Sequence, residues 1–228
     1  MKTLPNHTNL NLMVRLKFFA ALLAATLLFG MLNETSAESA NDQTLNSANY
    51  TVLDTPLDVS TGDKIEVVEL FWYGCGHCFS LEPNVNKWQK NKSDNVEFVK
   101  IPAIFSKRWE FHGKAYYTMQ ALGVLDKAND AFFHRIHVLR KQINDLDALT
   151  EFLADFGKSE QEVAAAFNSF DVDNKLRNAK AVTQKSTAQG VPAFLVDGKF
   201  HTSVKLAGSQ ENLFKVIDQL AEKAATER

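Results

Sequence analysis

The sequence predicts an α/β protein in which a long helical stretch interrupts a small sheet, and three observations predict it. A buried-strand pattern runs straight into a helix that opens on Cys75-Gly76-His77-Cys78, about 85 residues of helical text follow, and a hairpin with one more helix closes the chain. The 228 residues are 45% hydrophobic and 23% charged and include 17 Phe, which is enough to bury a full core in one domain or one domain with an insertion. The formal net charge is −2, with no Lys/Arg run and no acidic tail. Electrostatics therefore give no reason to expect nucleic acid or a membrane surface as partner, and function has to reside in a site.

The N-terminus reads separately from the fold. Lys2, Arg15 and Lys17 precede an apolar run from Phe18 to Leu32, and the small residues Thr35-Ser36-Ala37 follow, which is the layout of a secretory signal peptide spanning 1–37. The run is short for a membrane span of roughly 20 residues, and Glu34 and Glu38 lie just beyond it, so the pattern favours a cleaved leader over an anchor. Translation from Met13 would give a leader of more usual length and the same mature protein. Cleavage after Ala37 leaves 22 Lys and Arg against 26 Asp and Glu, a net charge near −4.

Beyond it, 38–49 is polar and reads as a loose start. Tyr50–Leu53 is a candidate edge strand, and Ile65–Trp72 has the β-branched and aromatic content of a buried one. Gly74 ends that strand, and Cys78, Leu81, Val85 and Trp88 recur at helical spacing, so a helix over Cys75–Lys90 is predicted, with Pro83 kinking it rather than stopping it. Val96–Ile101 alternates as the next strand, up to Pro102. Five helices are predicted over Trp109–Leu122, Ala128–Leu139, Leu146–Phe156, Glu160–Phe167 and Val172–Thr187. Gly190-Val191-Pro192 then reads as a turn, Asp197-Gly198 as a hairpin turn between two strands, and Ser209–Ala225 as the closing helix.

The two cysteines are the chemical centre of this sequence. A bond between residues three apart closes almost no loop and adds little stability through chain entropy, so the pair is there for chemistry. A thiol near its free pKa of about 8.5 is mostly inert at neutral pH. Cys75 stands at a helix start, where unpaired N–H groups and the helix dipole favour an anion, and His77 can add a donor or a positive charge. Stabilising the thiolate stabilises the dithiol and makes the disulfide an oxidant. Cys78, one turn further in, is expected to be the more buried sulfur.

Phe71-Trp72-Tyr73-Gly74-Cys75-Gly76-His77-Cys78 and the distant Gly190-Val191-Pro192-Ala193, separated by a helical insertion, resemble the DsbA family of periplasmic thiol-disulfide oxidoreductases over essentially the whole mature chain. The resemblance implies a thioredoxin-like fold with an inserted all-helical domain: a first part at 38–104, the insertion at 105–189 and a second part at 190–228. It implies that Pro192 follows a cis peptide bond and faces the disulfide, with Val191 offering its backbone to an extended substrate and Gly76 as a further substrate-binding residue. Glu69 matches the family's buried acid, able to exchange the Cys78 proton; Lys100 matches its partner, and Glu82 lies one turn beyond Cys78. The implied partners are reduced, unfolded exported proteins and a quinone-linked membrane protein that reoxidises the pair, with the protein itself a periplasmic monomer that uses no cofactor. One position departs from the pattern: the family more often has Pro where this chain has Gly76, and Cys-Gly-His-Cys resembles protein disulfide isomerases, which bears on the redox potential and not on the reaction class.

Rival readings stand beside these. A periplasmic reductase or isomerase uses the same motif, although such relatives carry Thr where this chain has Val191 and add a dimerisation domain. A metal or peptide binder on the same fold is the non-enzymatic alternative, but zinc wants four ligands and two Cys with His77 leave the set incomplete. Glu69 could instead face solvent or simply pair with Lys100. His134 and His137 read as a helix face, and His112 and His201 carry no role. Of the aromatic residues beside the motif, Tyr73 and Phe79 are the candidates for a substrate groove and Trp72 for the core.

Overall fold

The computed structural model describes residues 45–228, so the expected leader at 1–37 lies outside the described residues. The first element among the described residues is a single 3-10 turn at Ser47–Asn49, capped by the Asn46 side chain and tied by the Asn49 amide to Leu206 O at 2.9 Å. Of the expected loose start at 38–49, the described residues 46–49 are ordered, because side-chain amides take up the backbone groups of this polar segment.

A five-stranded mixed sheet follows in the order β1-β5-β4-β2-β3. Its strands are β1 (Thr51–Val52), β2 (Ile65–Phe71), β3 (Val96–Pro102), β4 (Ala193–Val196) and β5 (Phe200–Thr202). β2 and β3 are parallel, paired from Ile65 with Val96 to Phe71 with Pro102, and are joined by helix α1 (Gly76–Asn91); the other pairings are antiparallel. A parallel pair needs such a crossover, and this one carries the cysteines. Every residue of β2 is buried, which explains why its sequence lacks a polar face.

Alternation along β2 assigns its residues to two layers. Ile65 and Val67 pack with Leu81, Val85 and Trp88 of α1 and with Leu213, Val216 and Ile217 of the closing helix. Val68 and Leu70 pack on the opposite side with Ala193, Leu195 and Ala103. Glu69 shares the face of Val67 and so points toward the cysteine helix.

The insertion comprises α2 (Lys107–Ala121), α3 (Leu125–His137), α4 (Leu146–Ala154), α5 (Glu160–Phe167) and α6 (Phe170–Lys185). Its core joins Phe132, Phe133, Leu149, Phe152 and Leu153 to Phe71, Tyr73 and Cys78, so the helical part and the redox segment share one apolar cluster. α2 and α6 start earlier than apolar periodicity predicts. Ser106 stands in extended backbone ahead of α2, and Ser169 caps α6 through Val172 N, whereas Asp145 and Ser159 cap α4 and α5 where their periodic residues begin. α6 ends before Thr187, whose φ is +59°.

Asp197 and Gly198, at φ +52° and +63°, are the central residues of the turn between β4 and β5, closed by Lys199 N donating to Val196 O at 3.0 Å, and a Cβ on Gly198 would stand 2.2 Å from Leu57 O. A four-residue helix unseen in the sequence, α7 (Val204–Ala207), is held between the Ser203 cap and Gly208 at φ +85°. α8 (Gln210–Thr226) closes the fold. Pro83 is accommodated inside α1, which continues to Asn91.

Candidate active site

β2 ends against Trp72-Tyr73-Gly74, and the chain turns into α1 with Cys75 as its N-cap, in extended backbone at φ −88° and ψ 115°. Gly74 is required by its neighbour: a Cβ there would meet the Trp72 ring at 2.3 Å. Cys75 N donates to Trp72 O at 2.9 Å, which closes the turn, and Cys75 Sγ accepts from Cys78 N at 3.2 Å. Both cysteines are free thiols, Cys75 half-buried and Cys78 fully buried.

Their environments push the two sulfurs apart. The Cys75 thiol is lowered from 9.0 to about 6, first by a hydrogen bond from the Cys78 side chain and then by the N–H groups of Cys78 and His77 and the charge of His77, against an opposing effect of burial. Cys78 is driven far upward by burial, by the same hydrogen bond seen from the donor's side and by the negative charge on Cys75. One sulfur is therefore a thiolate at neutral pH and the other a thiol.

The Val191–Pro192 peptide bond is cis, and Cys75 Sγ lies 3.5 Å from Val191 O. The turn that was expected ahead of the hairpin thus meets the cysteine turn, 116 residues away in sequence. A cavity of about 880 Å³ opens beside them, with His77, Gln189, Val191, Pro192, Val204 and Leu206 among its lining residues. Gly76 is exposed, with open space where a Cβ would stand.

Glu69, Lys100 and Glu82 meet beneath the cysteines. Glu69 and Lys100 are register partners on β2 and β3, and Lys100 Nζ lies 3.3 Å from Glu69 Oε2 and 2.5 Å from Glu82 Oε1. Glu69 is wholly buried, which excludes the solvent-facing alternative, and neither of its oxygens has a hydrogen bond of good geometry. Burial raises its pKa from 4.5 to about 7, against the attraction of Lys100. For Lys100 burial opposes the charge, but Glu69 and Glu82 outweigh it and its pKa rises. Glu82 also accepts from Asn129 Nδ2 at 3.3 Å.

Two aromatic assignments are reversed. Tyr73, a candidate for the groove, is core: 1% exposed, its ring 4.2 Å from Phe132 and its hydroxyl donating to Asn129 Oδ1 at 2.9 Å. Trp72, a candidate for the core, is only partly buried and stacks on Trp109 at 4.3 Å. Alternation explains the exchange, because Tyr73 continues the face of Phe71 into the helical cluster while Trp72 falls on the other side. Phe79 is half-buried, stacked 4.9 Å from His137.

Two further residues join the site without having been expected there. His137 binds Tyr73 O at 2.8 Å, and Asn129 links Tyr73 to Glu82. Neither carries a local signal, since both partners lie at least 47 residues away in sequence. His112 is buried with its pKa lowered to about 4, chiefly by burial, and lies in a stack beside Trp72. His137 is turned to Tyr73 O, and among the described residues no group of three His, Cys, Asp or Glu is placed to hold a metal ion.

Comparison with known proteins places this arrangement. A DSBA-like thioredoxin domain matches residues 112–218. The chain is 36% identical to the thiol:disulfide interchange protein DsbA of Pseudomonas aeruginosa over 203 residues, 89% of this chain and 93% of that protein. It is 36% identical to the protein of the same name from Azotobacter vinelandii over 210 residues, 92% and 97% of the two chains. The crystal structure of Pseudomonas aeruginosa DsbA superimposes with a TM-score of 0.74 at 35% identity, covering 79% of this chain and 95% of that one. That of the oxidoreductase DsbA from Xylella fastidiosa gives 0.73 at 26% identity, covering 78% and 96%. With its thioredoxin fold, helical insertion and paired thiols, the chain belongs to the DsbA family of thiol:disulfide oxidoreductases.

Proposed function

We propose that this protein is exported to the periplasm and introduces disulfide bonds into exported proteins, with Cys75 as the attacked sulfur and Cys78 as the resolving one. The observation that carries the reading is the opposite fate of the two thiols, one held as an anion at the start of α1 and one kept protonated in the core.

In the cycle, a substrate thiolate attacks Cys75 Sγ of the oxidised pair. The Cys75–Cys78 bond breaks, Cys78 leaves with the electron pair and takes up a proton, and a mixed disulfide joins substrate to Cys75. A second substrate thiolate then attacks the substrate sulfur of that bond and expels Cys75 as thiolate. The client gains a disulfide, and the enzyme gains two electrons that an oxidant, in this reading a quinone-linked membrane protein, removes.

The site residues take roles in that sequence. His77 and the N–H groups of the first turn stabilise Cys75; Glu69, at about 7, delivers or accepts the Cys78 proton. Lys100 and Glu82 set the charge around Glu69. Val191 and Pro192 line the cavity, where an extended client lies along the backbone, and the exposed Gly76 leaves open space beside His77 of the same lining. The protein works as a monomer, in two thioredoxin-like parts, 38–104 and 190–228, around an insertion at 105–189. Among the described residues no helix is long and apolar enough to cross a membrane.

Equilibration of the purified protein with glutathione tests the reading. A potential above about −200 mV is expected; a value near −270 mV would make the protein a reductase and overturn it.

A further inference from the structure

One face of α3 reaches the redox motif from the helical insertion. Asn129, Phe132, Phe133 and His137 are spaced along one stripe of the helix. They take up the Tyr73 hydroxyl, the Tyr73 ring, the Phe79 ring and the Tyr73 carbonyl. The last contact differs in kind from the others. A carbonyl only accepts, so His137 Nε2, 2.8 Å from Tyr73 O, carries the proton and donates it. The same ring lies nearly flat on Phe79, 4.9 Å between centroids and 9° between planes. One side chain thus grips the backbone two residues before Cys75 and a side chain one residue after Cys78.

The grip falls where Cys75 is most dependent on geometry. Its sulfur reaches Cys78 N at 3.2 Å only while the Trp72-Tyr73-Gly74 turn holds Cys75 in extended backbone at the cap. That turn joins a rigid, fully buried strand to a helix, and the peptide orientation at Tyr73 sets the direction in which the chain leaves it.

We infer that His137 is a positioning residue for the redox centre, fixing through the Tyr73 carbonyl the turn that presents Cys75 Sγ to the start of α1. The inference rests on the oxidant reading and deepens it, by giving the insertion a direct part in tuning the nucleophile. A packing role needs only the ring; a positioning role needs the donor.

His137→Phe keeps a ring against Phe79 and loses the donor, while His137→Gln loses the ring and keeps an N–H donor. The fraction of Cys75 thiolate, followed by its ultraviolet absorbance against pH, and the equilibrium with glutathione separate the two roles, with thermal unfolding as a check on the fold. The Phe variant is expected to raise the Cys75 pKa by about one unit, a tenfold loss of thiolate at low pH, and to shift the glutathione equilibrium toward the disulfide by a similar factor. The Gln variant is expected to return most of both. Should the Phe variant not fold, His137→Met, which also lacks a donor, is compared with Gln instead. A donor-less variant that titrates with the wild type, or a Gln variant no better than it, overturns the inference alone. A wild-type thiol that titrates like free cysteine overturns the oxidant reading and this inference together.

Discussion

At the first turn of α1, Cys75 is half-buried and its sulfur accepts backbone N–H, whereas one turn deeper Cys78 is sealed in an apolar cluster with Phe71, Tyr73 and Phe133. The residue type is the same and the separation is three positions, yet one thiol is lowered to about 6 and the other is pushed far up. The difference teaches that position along the first turn decides which sulfur carries charge: Cys75 accepts from the Cys78 side chain and from the first-turn N–H groups, with the charge of His77 adding to them, while burial opposes charge on Cys78. Beneath Cys78, Glu69 is wholly buried with its pKa raised to about 7, and Glu82 is joined to Lys100 and Asn129.

Breaking the contrast at the sulfurs has the largest expected effect. Cys75→Ser is expected to abolish oxidation of a reduced, unfolded substrate. Cys78→Ser, which leaves the half-buried nucleophile without its partner, is expected instead to accumulate a mixed disulfide when offered a client that already carries a disulfide, Cys75 attacking that bond and one client sulfur leaving as thiolate. Non-reducing electrophoresis reads both outcomes; equal trapping by the two variants would show that the sulfurs are interchangeable and remove the asymmetry.

Next in size is the charge beneath them. Lys100→Met leaves Glu69 and Glu82 buried without a counter-ion, and breaking a buried pair in this way costs about 3–5 kcal/mol. Denaturant unfolding of variant and wild type at pH 8, where Glu69 of the wild type is ionised, checks the value. A loss below about 1 kcal/mol would place Lys100 among ordinary surface ion pairs.

The two regions also differ in how far the sequence announced them. The sulfur turn was legible: strand, Gly74, CxxC and helical spacing lie within a dozen residues, and local chemistry sets the cap. The hairpin with Val191-Pro192 was legible as a unit, because Asp197-Gly198 marks its turn. What lay beyond reading is the cross-chain assembly. That Tyr73 is core and Trp72 is half-exposed depends on which face of β2 meets the insertion, and period-2 alternation in a strand buried on both sides leaves that choice open. Asn129 and His137 enter the site only through tertiary contacts, and α7 is too short to carry a period. The helix start at Phe170 precedes the apolar pattern because the Ser169 cap, not a buried residue, marks it, and at Lys107 the chain leaves extended backbone at Ser106 two residues ahead of Trp109.

A smaller effect is expected from Glu69→Gln, which keeps shape and removes the titrating group. Release of Cys78 from the oxidised pair should slow on the order of 10²-fold, the lower end of what a positioned proton donor or acceptor is worth. Stability moves the other way. The folded pKa of Glu69, about 7, lies above its reference of 4.5, so the folded state holds the extra proton between them and this group's contribution is present below pH 4.5 and lost as pH rises through 7. The Gln variant is therefore expected to be flatter with pH than the wild type and more stable at pH 8. Parallel losses of rate and stability would make Glu69 a structural ion-pair partner instead.

The subtlest way to sharpen the comparison is the slope of the reduction potential with pH. Below pH 6 both thiols of the reduced enzyme are protonated, so two electrons enter with two protons and the potential falls by about 59 mV per pH unit. Above pH 6 Cys75 is ionised while Cys78 keeps its proton, only one proton accompanies the two electrons, and the slope halves to about 30 mV. The sign for folding follows from linkage: the folded pKa of Cys75 lies below its reference of 9.0, so the folding stability of the dithiol protein gains on that of the disulfide protein as pH rises from 6 toward 9 and loses that gain as pH falls through 6. Potentials measured against glutathione from pH 5 to 8 locate the break. A single slope of about 59 mV across that range would mean that the start of α1 holds no thiolate, and the distinction between the two sulfurs would reduce to exposure.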